Sequence, residues 1–102
     1  MEKVIKDGKV AILFSPGFGA GWYTLNKEYP ELIFHPEIVR AVLDGDKQKA
    51  AKIASRICPN CVTLGAEELE VMWLDEGTEF EIDEFDGSES VHFIGSRGYM
   101  IA

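Results

Sequence analysis

The pattern of apolar and polar positions divides the chain into a helical middle and a strand-rich end. Lys9-Val10-Ala11-Ile12-Leu13-Phe14 is a continuous apolar run between Asp7-Gly8 and Ser15-Pro16-Gly17. Its length and β-branched content predict a buried strand. Pro36 suits the first turn of a helix, and Ile38, Val39, Ala41, Val42 and Leu43 give that helix an apolar face before Asp44-Gly45 ends it. Asp46 is an N-cap for a second helix, in which Ala50, Ile53, Ala54 and Ile57 recur at i, i+3, i+4 and i+7 until Pro59. So short a link predicts an antiparallel helix hairpin.

After residue 65 the period changes to two. Leu69, Val71 and Trp73 alternate with Glu70, Met72 and Leu74; Phe80 and Ile82 alternate with Glu79, Glu81 and Asp83; Val91 and Phe93 alternate with Ser90 and His92. Asp75-Glu76-Gly77-Thr78 and Asp86-Gly87-Ser88 supply turns, and Tyr99-Met100-Ile101 is a candidate closing strand. Strands segregated from helices predict one α+β domain over residues 1–102: an antiparallel sheet of about four strands, with the two-helix hairpin packed on one face. Residues 24–35 carry no clear period.

The 102 residues suffice for one domain, and the 46% apolar content suffices for its core. No apolar run reaches the length of a membrane span, and the first residues lack a signal-peptide pattern. A cytoplasmic location is the expectation, with no membrane partner and with Cys58 and Cys61 as reduced thiols.

Charge changes the picture more. Residues 1–64 hold nine Lys/Arg against seven Asp/Glu, a balance of +2; residues 65–102 hold Arg97 against eleven acids, a balance of −10. Such a segment repels nucleic-acid phosphates and attracts basic protein surfaces. Glu70, Glu79, Glu81 and Asp83 are the candidate partner-binding residues, on positions that alternate with apolar ones. The competing reading is a solvated strand face.

The second candidate is the loop Ser15-Pro16-Gly17-Phe18-Gly19-Ala20-Gly21-Trp22-Tyr23. Glycines let bare backbone N–H groups approach an anion, so Gly17, Gly19, Gly21, Trp22, Tyr23 and Asn26 are candidate residues for a small, nucleotide-like ligand, with the aromatic rings as stacking surfaces. A tight structural turn is the plainer alternative. No helix follows directly and no Lys-Ser/Thr pair is present, which excludes both standard nucleotide motifs.

Cys58-Pro59-Asn60-Cys61 could supply half of a zinc site, with His35 and His92 as the other half, but no second C-x-x-C exists and the histidines are isolated. A thioredoxin-like role wants the first cysteine at a helix N-terminus, and Cys58 ends a helix. No metal, no cofactor and no catalytic residue is therefore assigned; an enzyme working through the carboxylates of residues 79–83 is the minority reading.

The runs Ser15-Pro16-Gly17-Phe18-Gly19-Ala20-Gly21-Trp22-Tyr23 and Phe85-Asp86-Gly87-Ser88-Glu89-Ser90 resemble those of a group of small uncharacterised proteins from bacteria and from phage or plasmid genomes. The resemblance implies a mobile-element accessory role, such as inhibition of a host defence system, and assigns no residue. The expected function is a non-catalytic binding protein acting through its acidic sheet on a basic protein partner. A small-ligand domain is the alternative, and edge strands leave room for a homodimer.

Overall fold

A computed structural model describes residues 3–17, 22–23, 26, 29–61, 65–85, 88–92 and 100–102. The elements run β1 (Ile5–Lys6), β2 (Lys9–Phe14), α1 (Pro36–Leu43), α2 (Lys47–Ile57), β3 (Glu70–Asp75), β4 (Glu79–Phe85), β5 (Ser88–His92) and β6 (Met100–Ile101). A 3-10 turn at Pro30–Ile33 occupies part of the stretch without a period. The α+β expectation holds.

β1 is an addition to the expected elements. Asp7 and Gly8 both take positive φ, 54° and 76°, the geometry of a two-residue hairpin turn. The helix pair follows its local signals closely. The Asp46 carboxylate accepts the Lys49 N–H at 3.0 Å, and Gly45 takes φ 77° in the link. α1 lies across β2 and β3.

The sheet departs from expectation. Instead of one sheet of about four strands, there are two three-stranded antiparallel sheets, ordered β1-β2-β3 and β5-β4-β6. The last third is therefore not a simple meander: β3 pairs with β2, and β4 pairs with β5 and β6. The corner at residues 76–78 explains the split. Gly77 takes φ 88° and donates to the Ala102 carbonyl at 2.8 Å, while the Ala102 N–H donates to Thr78 at 2.9 Å. The end of β6 thus fills the place that β3 would take beside β4.

One core joins both sheets. Val10, Ala11, Ile12 and Leu13 are all fully buried, so β2 is covered on both faces, as a continuous apolar strand requires. Phe80 and Ile82 of β4 reach the same core, and the Phe80 ring meets Phe34 edge-on at 6.3 Å between centroids.

Candidate functional site

Both candidate regions meet along β5. The β4–β5 register places Ile82 opposite Val91, Asp83 opposite Ser90 and Glu84 opposite Glu89. Side chains alternate across the pleat, so Phe80 and Ile82 turn inward while Glu79, Glu81 and Asp83 share the outward face. Successive members of that row stand about 7 Å apart. Glu79 and Asp83 are exposed and Glu81 is half-buried. Glu70 is also exposed, but it stands on β3 opposite Phe14 in the other sheet and does not extend the row.

His92 lies across from Glu81 on the same face. Its Nε2 is 3.0 Å from the Ser90 hydroxyl and 3.6 Å from the Asp83 carboxylate. A serine, a histidine and an aspartate are thus together. Both partners address the same ring nitrogen, however, whereas a proton relay needs them on opposite nitrogens. This cluster is a polar surface patch rather than a triad.

Glu89 is the residue that periodicity hid. It sits on a β-strand amid acidic and polar neighbours, yet it is only 2% exposed. Its carboxylate accepts the Ser15 N–H at 2.8 Å through Oε1 and the Trp22 N–H at 2.9 Å through Oε2. Its own N–H donates to the Ser15 carbonyl at 2.8 Å, and the Ser88 hydroxyl donates to the Pro16 carbonyl at 2.6 Å. β5 therefore fastens the chain leaving β2 to the second sheet. No local sequence signal points to Glu89, because its partners lie 74 and 67 positions away.

This arrangement accounts for the two ends of the glycine loop. Two backbone N–H groups do converge on an anion, but that anion is the protein's own carboxylate. Trp22, expected as a stacking surface, is fully buried in the core. Burying so large a ring is the stronger drive, since each Å² removed from water contributes roughly 25 cal/mol. Asn26 is also buried, and its side-chain amide donates to the Trp22 carbonyl at 2.8 Å. Tyr23 is half-buried. Gly17 packs against Glu68, where an added Cβ would stand 3.0 Å from Oε2. Gly19 and Gly21 lie outside the described residues. Two buried polar atoms in this corner, Ser15 Oγ and Trp22 Nε1, have no hydrogen-bond partner among the described residues.

The cysteines also differ from expectation. Cys58 and Cys61 form a disulfide rather than two reduced thiols, because the turn after α2 brings their Cα atoms to 5.4 Å. Among the described residues, no group of three His, Cys, Asp or Glu side chains is placed to hold a metal. His35 instead caps α1, its Nδ1 accepting the Glu37 N–H at 3.3 Å. Burial lowers the His35 pKa from its ordinary value; the Glu37 carboxylate opposes that shift and Arg56 adds to it. Among the described residues, no helix is long and apolar enough to cross a membrane.

No family model, no curated protein and no solved structure matches this chain.

Proposed function

We propose that the protein is a non-catalytic binding protein whose outward β4–β5 face takes a basic protein surface. The observation that carries this reading is the row of Glu79, Glu81 and Asp83 on one face of a strand whose other face is anchored in the core by Phe80 and Ile82. Anchoring matters because it presents the carboxylates at fixed spacing. Binding then does not have to order the backbone that carries them. Among the described residues, His92 is the one basic side chain paired with the row. The row therefore keeps most of its charge for a partner's Lys and Arg. A basic surface that otherwise holds nucleic acid fits this chemistry, and inhibition of a host defence protein is a setting in which such a face would work.

Affinity for such a partner falls as ionic strength rises, because exposed charges are screened over about 8 Å at physiological salt. The test is co-purification with tagged protein at low and high salt, repeated with Glu81→Lys/Asp83→Lys. A captured partner that survives high salt and the double reversal unchanged refutes the reading.

A second reading keeps one observation. Ser15 Oγ and Trp22 Nε1 are buried donors without a partner among the described residues, and such atoms mark a place where a small polar ligand or ordered water is accommodated. Thermal-shift screening against nucleotides and other small polar molecules tests it. A ligand that raises the melting point in proportion to its concentration supports the reading, and no response across the panel removes it.

A further inference from the structure

The Cys58–Cys61 disulfide is a chemically reactive group that the binding reading leaves unused. Cys58 closes α2, with its N–H donating to the Ala54 carbonyl at 2.9 Å, and it is 8% exposed. Cys61 is half-buried, and Pro59 and Asn60 between them are exposed. The ring therefore stands at the surface, with Cys61 as its more open member.

The bond joins residues that the backbone already holds together. The Cys61 N–H donates to the Cys58 carbonyl at 3.1 Å. A disulfide stabilises a fold largely by closing a long loop in the unfolded chain, and a sequence separation of 3 closes nearly the shortest loop available. Breaking it releases no distant element. The chain holds two cysteines in all, so no third thiol competes for either sulfur.

From these features we infer that Cys58–Cys61 is a reversible two-electron exchange site for dithiol reductants. A thiolate of the dithiol attacks Cys61 Sγ, the Cys61–Cys58 bond breaks, and Cys58 leaves as a thiolate that takes a proton from water. The second thiol of the reductant then attacks the mixed disulfide and expels the Cys61 sulfur, which is protonated in turn. The protein gains two electrons and two protons, and the dithiol becomes a cyclic disulfide. Two features set the direction of selectivity. The negative end of the α2 dipole opposes a thiolate at Cys58, which favours the closed form. A monothiol such as glutathione that attacks Cys61 is expelled again by Cys58, which the turn keeps within reach.

Folded protein purified without reductant is treated with dithiothreitol or with glutathione at equal thiol concentration, alkylated, and weighed intact. The expected result is two alkyl groups after dithiothreitol, none after glutathione, and none without reductant. Cys61→Ser carries one. Reduced protein and Cys61→Ser both retain cooperative melting. Two alkyl groups on untreated protein, none after dithiothreitol, equal opening by glutathione, or loss of cooperative melting on reduction each overturn the inference.

Discussion

Replacing Glu89 by Gln tests the structural centre of the molecule with almost no change in shape. The wild-type carboxylate accepts two backbone N–H bonds, one on each oxygen. Glutamine keeps one oxygen and turns an NH₂ toward the other N–H, donor against donor. One charge-assisted bond becomes a neutral one, at a cost of about 1 kcal/mol, and one buried N–H loses its partner, at a cost of about 1–3 kcal/mol. Removing a buried charge also relieves desolvation, and whole buried ionic networks have been exchanged for apolar groups without loss. That relief does not win here, because the Ser15 and Trp22 amides stay buried and are not removed with the charge. The net expectation is about 2–4 kcal/mol of destabilisation, which for a domain of this size lowers the melting temperature by on the order of 10–20 °C. Glu79→Gln on the exposed face is the control and should stay within about 0.5 kcal/mol of wild type. Urea unfolding followed by tryptophan fluorescence reads both variants. An unchanged m-value with a shifted midpoint assigns the effect to the native state. A Glu89→Gln midpoint indistinguishable from that of Glu79→Gln would refute the argument that this carboxylate fastens the two sheets.

Other expectations concern separate parts of the molecule. Gly17→Ala places a methyl group 3.0 Å from Oε2, 3.1 Å from Cγ and 3.2 Å from Cδ of the exposed Glu68 side chain, which must shift along its length, so a loss of about 1–3 kcal/mol is expected, to be recovered in Gly17→Ala/Glu68→Ala. Charge reversal at Glu81 and Asp83 should weaken a captured basic partner by at least about tenfold while leaving the melting temperature near wild type. His35 has a lowered pKa in the folded protein, so the unfolded chain takes up its proton first as pH falls. Stability should therefore decline as pH drops through the unfolded value of 6.5 and level off below the folded value; His35→Asn, which keeps a capping side chain, should remove that part of the pH dependence.

Local signals alone determined much of this molecule. Pro36, Gly45, Asp46 and Pro59 mark the helix hairpin, because capping and helix breaking act over three or four residues. Alternation correctly turned Phe80 and Ile82 inward and Glu79, Glu81 and Asp83 outward, because a strand's pleat fixes sidedness from neighbour to neighbour. Only tertiary structure decided the rest. Strand partners are chosen between residues far apart in the chain, and the contacts of Ala102 with residues 77 and 78 divided the expected single sheet into two. Burial of Glu89 depends on amides at residues 15 and 22, more than sixty positions away, so its acidic context in the sequence reads as a solvated face. The glycine-rich loop looked open to a ligand for the same reason. The Ser15 and Trp22 amides at its two ends do meet an anion, but that anion is a side chain from the far end of the chain.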